Sequence, residues 1–308
     1  MTYIFVPSSP LQTAVLLLVF NRPDTTTLVF EAIRKAKPPR LYVAADGPRA
    51  NRMGEAEIVA KVREIATAVD WPCEVKTLFR EENLGCKYAV SGAITWFFAQ
   101  EDRGIILEDD CLPSQSFFWF CEEMLAKYEY DQKIDLISGD GRILEAINLP
   151  EECVLLPYPL IWGWASWAHK WSNYDVDMKS WPANKLNIIN AHSRRNSLFW
   201  GHVFKKTFEN VIDTWDYQLA YMLQVHKSNC LLPPKNLVRN IGFNRDNATH
   251  TTGSGEGFVI EEKEIMLPAV ISNSMANERL AKNYADQNLF LFKPFFSRLI
   301  DRILRIFK

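Results

Sequence analysis

Along its first half the chain alternates between two kinds of apolar pattern. Unbroken apolar runs, such as AVLLLVF (14–20), are followed by longer stretches in which apolar residues return every three or four positions. The first kind suits a strand buried on both faces, and the second a helix with one buried stripe. The runs RLYVAADGPR (40–49), EVKTLFR (74–80), RGIILED (103–109) and KIDLISG (133–139) repeat the first pattern, with helices predicted over 53–69, 87–99 and 115–130. Between the first two runs, NRPDTTTLVFEAIRKAKPP predicts a helix capped by Asp24, packed through Leu28 and Ile33, and stopped by Pro38 and Pro39. Strands alternating with helices predict an α/β fold, a mostly parallel sheet flanked by helices on both faces.

In such sheets ligands bind beyond the carboxyl ends of the strands. Four polar segments fall there: Asn21 and Arg22, Asp46 and Gly47, REENLGCK (80–87) with Arg80, Asn83 and Lys87, and the acidic triplet Glu108, Asp109 and Asp110. If strand geometry persists through the triplet, Glu108 and Asp110 project to one side and Asp109 to the other. Adjacent carboxylates repel one another and lose hydration when partly buried, a conflict that a hard divalent cation resolves. Mg²⁺ or Mn²⁺, bound by one or two carboxylates with substrate phosphates and water, is the cofactor this predicts. An acidic turn open to solvent accounts equally well for the triplet taken alone. There is no GxGxxG after the first strand and no GxxxxGK[ST], which argues against a nicotinamide dehydrogenase or a P-loop NTPase.

Composition narrows the choice further. The 308 residues are 48% hydrophobic, ample for a large core, and a formal charge of −2 gives no general field for nucleic acid. The six cysteines show no zinc spacing and no disulfide framework, so a reducing compartment is expected. The run 14–20 lacks the flanks of a signal peptide and the length of a membrane span, and a cytoplasmic location follows as the expectation.

Taken in order, VFNRP, AADGPR, ENLGCKYAVSGAITWFF and GIILEDD resemble the nucleotide-sugar-binding half of a GT-A glycosyltransferase, a Rossmann-like fold. PLIWGWASWAHKW (159–171), DTWDYQLAYM (213–222) and NLVRNIGFNRDNATHT (236–251) resemble the acceptor half of bacterial sugar transferases related to N-acetylglucosaminyltransferase type I. The resemblance implies a domain over 1–260, with a donor half at 11–140 and an acceptor half at 141–260. Asp46 would contact the nucleobase, Asn21 and Arg22 would line the same pocket, Asp109 would sit near the ribose, and Asp110 would bind the metal on the diphosphate. Asp216 would be the catalytic base of an inverting transfer from a nucleotide-sugar donor, UDP-linked by analogy. Asn83, Lys87 and Glu108 complete the expected donor site, and His250 is a candidate further ligand.

Trp162, Gly163, Trp164 and Trp215 are candidates for a wall against a glycan or lipid-linked acceptor, since aromatic faces stack on sugar rings; core packing explains the tryptophans equally. Residues 261–294 are expected to be a linker. In FFSRLIDRILRIFK (295–308), residues such as Phe296, Leu299, Ile300 and Ile303 fall on one helical face and Arg298, Arg302, Arg305 and Lys308 on the other. That division predicts an amphipathic helix lying on an anionic membrane, which would make the protein peripheral to the inner face of the membrane and place it in surface-polysaccharide synthesis. Two other functions remain open: a non-catalytic glycan-binding protein, and a sugar-phosphate nucleotidyltransferase, whose glycine-rich basic loop would stand where this chain has NRPDTTT.

Overall fold

The computed structural model describes residues 5–149, 152–243, 261–269, 271–272 and 274–290. Strands β1 (Ala14–Val19), β2 (Arg40–Ala45), β3 (Glu74–Phe79) and β4 (Arg103–Glu108) run parallel in the order β3-β2-β1-β4. Helices α1 (Pro23–Ala36), α2 (Glu55–Ala66) and α3 (Gly85–Phe98) connect them. After β4 come a short β5 (Cys111–Pro113), α4 (Gln115–Lys127) and β6 (Ile134–Ser138). The second half contributes α5 (Arg142–Ala146), β7 (Val154–Leu156), β8 (Trp164–Trp167), α6 (Ala168–Trp171), α7 (Trp181–Asn190), α8 (Arg194–Phe208), α9 (Asp216–His226), β9 (Asn229–Leu232), β10 (Val238–Asn240) and α10 (Met275–Asn288).

The strands form one eight-stranded sheet, β3-β2-β1-β4-β8-β6-β9-β7. Within it β8 runs antiparallel to both β4 and β6, β9 is parallel to β6, and β7 is antiparallel to β9. The sheet is therefore mixed and mostly parallel, as the alternating pattern predicted. Because β8 is reversed, the chain entering it at 159–163 lies at the same rim as the exits of β1, β2, β4 and β6.

Each face of the sheet carries its own core. In β1, Leu16 and Leu18 pack with Tyr42, Ile94 and Phe97 on one face, while Val15 and Leu17 pack with Phe30, Ile33 and Phe117 on the other. Burial on both faces is why the strand reads as an unbroken apolar run, each such side chain contributing roughly 1.5–3 kcal/mol. The second half of the chain adds an aromatic mass to the first core, including Trp164, Trp171, Trp181, Trp200 and Phe204. Gly163 makes the turn into β8 at φ +63°, where an added Cβ would stand 2.8 Å from Val238 Cγ2 and 3.1 Å from Leu107 Cδ2. Only glycine meets both the conformation and the space there.

Several sequence expectations need correction. Asp24 does not cap α1: the N-cap residue is Arg22, Pro23 takes the first helical position, and Asp24 lies in the first turn. Leu28 is 51% exposed, because the inward stripe of α1 runs through Val29, Phe30 and Ile33. Strand β4 ends at Glu108, so strand alternation stops before Asp109 and Asp110.

The described part of the expected linker packs on the body. Glu264 accepts hydrogen bonds from the Gln115 and Ser116 amides at the start of α4, at 2.9 and 2.6 Å, and α10 buries Ala281 and Ala285 completely. The short polar stretches that suggested a linker hide these contacts, which join residues distant in sequence. Residues 291–308, with the amphipathic segment, and residues 244–260, with His250, lie outside the described residues. No described helix is long and apolar enough to cross a membrane.

Candidate functional site

The rim of the sheet encloses a cavity of about 1110 Å³. Its walls bring together Asn21 and Arg22 from the exit of β1, Asp46 and Arg49 after β2, Arg80 and Asn83 after β3, the triplet after β4, Arg142 after β6, and Trp162 before β8. Asp213, Trp215 and Asp216 at the start of α9, and Asn240 and Phe243 at the end of β10, close the other side.

The triplet is organised by one cation. Arg22 Nη1 donates to Asp110 Oδ2 at 2.6 Å and to Asp109 Oδ1 at 3.3 Å, and the Phe20 amide donates to Asp109 Oδ2 at 3.1 Å. Asp109 and Asp110 thus share a partner, whereas strand alternation had set them on opposite sides. Burial, then repulsion from Asp110, Asp109 and Asp216, pushes the Glu108 carboxyl up to about 8. Burial and Asp110 push Asp109 up to about 7. One guanidinium faces three carboxylates, too few cations for all three to be ionised together.

That excess fits a hard divalent cation in one specific way. Among the described residues no group of three or more His, Cys, Asp or Glu side chains is arranged to hold a metal ion. Asp110, with Glu108 beside it, can supply one or two oxygen ligands, the number Mg²⁺ or Mn²⁺ uses when phosphates and water complete its shell. The position of Asp110 is set from behind. Its carbonyl accepts from the Ile241 amide at 2.8 Å, β5 pairs with β10 through Cys111 and Asn240, and Gly242 comes so close that an added Cβ would lie 2.1 Å from Asp110 Oδ2.

Asp216 opens α9 across the cavity. Its Oδ1 accepts from Thr214 Oγ1 and from the Tyr217 amide, and its charge is near enough to raise the pKa of Glu108. Oδ2 accepts no hydrogen bond among the described residues, which leaves it available to a hydroxyl in the cavity.

Asp46 lines the cavity, but backbone amides occupy its carboxylate: Gly47 at 3.0 Å, Leu84 at 3.0 Å to both oxygens, and Gly85 at 3.1 Å. Asp213 takes the next two amides of the same helix, Cys86 at 3.2 Å and Lys87 at 3.0 Å. The free amides at the start of α3 are thus covered by one carboxylate from each half of the chain, and the loop that leads to Asp216 is anchored to the start of α3. Sequence reasoning missed Asp213, since no local spacing signals a cap supplied from so far along the chain.

The other expected residues divide. Asn21 Nδ2 donates to Glu55 Oε1 at 2.9 Å and Asn83 Nδ2 to the Gly47 carbonyl at 2.8 Å, both at the cavity wall. Arg80 also reaches the wall while donating to the Ala89 carbonyl. Lys87 does not join the rim: its buried amine turns to Asn210 Oδ1 at 2.7 Å and Asp177 Oδ1 at 3.3 Å, because its position on α3 faces the second half of the chain.

Trp164 is likewise not a wall residue. It is 1% exposed within the core and stacks on Trp215 at 5.8 Å. Trp162 does face the cavity, with the Arg142 guanidinium 3.7 Å over its ring, and Arg142 is paired with the buried Asp140 at 2.9 Å. The pattern WGWASW contains one wall tryptophan and core tryptophans at adjacent positions, and composition cannot sort them.

No family model matches the chain, and no curated protein does. Among solved structures, the glycosyltransferase GlyE of Streptococcus pneumoniae TIGR4 is similar over 69% of this chain and 43% of its own, at 12% identity and a TM-score of 0.33. HddC from Yersinia pseudotuberculosis is similar over 41% of this chain and 57% of its own, at 12% identity and a TM-score of 0.26. The chain spans about half the length of these structures.

Proposed function

We propose that the protein transfers a sugar from a nucleoside-diphosphate donor to a hydroxyl of a glycan or lipid-linked acceptor, with inversion at the anomeric carbon, as a GT-A glycosyltransferase. The observation that carries the reading is the pairing, across one cavity, of a carboxylate with a free oxygen, Asp216, and a buried acidic cluster short of positive charge, Glu108 to Asp110. Asp216 would take the proton of the attacking hydroxyl, and general-base catalysis of this kind accounts for about 10²–10⁴-fold in rate. Arg22 would hold Asp109 and Asp110 in place and face the diphosphate oxygens. A divalent cation at Asp110, when bound, would neutralise charge developing on the leaving diphosphate.

Trp162 and Phe243, whose ring centroids lie 5.7 Å apart, would form the platform for the acceptor sugar. Incubating the purified protein with Mn²⁺ and a panel of nucleotide-sugars is expected to release nucleoside diphosphate from one donor class. Release from none of them, with or without a glycan acceptor, would contradict the reading.

The amphipathic residues 295–308 would hold such an enzyme against an anionic bilayer, near a lipid-linked acceptor. Deleting them is expected to move the protein from the membrane fraction to the soluble fraction while donor turnover persists; unchanged fractionation would remove the anchoring role.

A further inference from the structure

Glu55 is the most heavily committed carboxylate at the rim, and nothing in the transfer chemistry uses it. It is the first residue of α2 and only 5% exposed. Its oxygens accept from Asn21 Nδ2 at 2.9 Å, from the Arg49 amide at 2.7 Å, and from Arg49 Nε at 3.0 and 3.1 Å, with Arg49 Nη2 closing a two-pronged pair. The Arg49 contacts hold its carboxyl down to about 2, so it stays ionised.

The consequence falls on Arg49, which lines the cavity with its side chain 32% exposed. One edge of the guanidinium is bound to Glu55, its face lies over the Phe20 ring with Cζ 5.4 Å from the centroid, and Nη1 has no hydrogen-bond partner among the described residues. The result is a planar donor of fixed direction whose charge is already balanced. Nη1 is left to donate an N–H to an acceptor in the cavity.

Its place in the fold identifies that acceptor. Arg49 follows β2, and the triplet follows β4, with β1 between them in the sheet. Two strand spacings put the two sites roughly 10 Å apart. A nucleoside diphosphate whose phosphates lie over the end of β4 would therefore carry its base over the end of β2. The neighbouring cations are engaged elsewhere: Arg63 Nη2 donates to the Asp46 and Arg80 carbonyls at 3.2 and 2.5 Å, and Arg80 to the Ala89 carbonyl.

We propose that Arg49, held by Glu55, reads the base of the donor by donating from Nη1 to the O4 carbonyl of uracil or the O6 carbonyl of guanine, and so selects them over cytosine or adenine, which carry an amino group at that position. This rests on the sugar-nucleotide reading above and adds the class of base. At pyrimidine C4 or purine C6, where the carbonyl of uracil or guanine accepts, cytosine and adenine present amino hydrogens instead, and a site built around a donor rejects the mismatch strongly.

The test is calorimetric titration of the full chain, in Mn²⁺, with UDP, CDP, GDP and ADP, for wild type, Arg49→Ala, Arg49→Lys and Glu55→Gln. Wild type is expected to bind UDP more tightly than CDP, or GDP more tightly than ADP. Arg49→Ala should weaken the favoured nucleotide about tenfold or more and bring the paired nucleotides level, as loss of one hydrogen bond from a charged donor implies. Arg49→Lys and Glu55→Gln, which disturb the two-pronged geometry, should also narrow the ratio. Thermal melting checks folding, since Arg49→Ala leaves the buried Glu55 without its cation, and Glu55→Gln removes that charge while keeping the side chain's size.

Wild-type affinity in Arg49→Ala, equal weakening of both members of a pair, or a wild-type preference for CDP over UDP and ADP over GDP would each overturn the assignment. If in those cases Asp110→Ala still abolishes Mn²⁺-dependent binding, the sugar-nucleotide reading stands without it. Absence of binding to all four nucleotides by wild type would overturn both.

Discussion

Asp216→Asn is expected to lower sugar transfer by about 10²–10⁴-fold, the range for loss of a general base, while nucleotide binding stays within twofold or so of wild type. The substitution keeps the size of the side chain and an oxygen that can still accept from Thr214 Oγ1 and the Tyr217 amide, so the start of α9 should hold its conformation. What disappears is the basicity of the free oxygen that faces the cavity. Its position opposite the acidic cluster matters for the chemistry: a base must stand beside the attacking hydroxyl, on the far side of the sugar from the leaving diphosphate, if the anomeric centre is to invert. Steady-state turnover together with calorimetric nucleotide affinity separates the two quantities. Parallel loss of both would mean that Asp216 supports the fold of the rim, and unaltered turnover would remove it from the chemistry.

Gly242→Ala is expected to weaken Mn²⁺-dependent nucleotide binding by about tenfold or more without changing any charged group. An added methyl would lie 2.1 Å from Asp110 Oδ2 and 2.9 Å from its Cγ, well inside van der Waals contact, so one of the two must move. The backbone on the glycine side is tied down by the β5–β10 pairing and by the Gly242 amide, which donates to Asn240 Oδ1 at 2.9 Å. The Asp110 carboxylate yields instead, and its bond to Arg22 is lost with its orientation toward the phosphates. Losing one charge-assisted contact of this kind costs about 1.5–3 kcal/mol, or roughly ten- to a hundredfold in affinity. Calorimetry in Mn²⁺, beside a thermal melt showing a folded protein, checks this; wild-type affinity would mean that Asp110 does not organise the diphosphate site.

The sheet was legible because burial on both faces leaves an unbroken apolar run, and β1, β2 and β4 carry that mark plainly. The rim followed from topology alone: once the strands are parallel, Asn21, Asp46 and the triplet must meet. What could not be read is direction and long-range contact. Lys87 and Gly85 lie in one turn of α3, yet the lysine faces Asp177 in the second half of the chain and the glycine lines the cavity. Trp162 and Trp164 differ only by the turn at Gly163. Asp213, Glu55 and Gly242 act through partners that no local spacing links to them. Glu55 in particular looks, in sequence, like one more acid in the first turn of a helix, and its role depends on Asn21 and Arg49 arriving from the ends of two neighbouring strands.

The central claim is that the acidic cluster binds a nucleoside diphosphate through a divalent cation. Calorimetric titration of wild type and Asp110→Ala with nucleoside diphosphates, with and without Mn²⁺, tests it most directly. The account predicts binding of one nucleotide that requires the cation, no strong cation binding in the absence of nucleotide, since the protein offers only one or two oxygen ligands, and loss of both nucleotide and cation binding in the variant. Binding that ignores the cation and survives Asp110→Ala would contradict it.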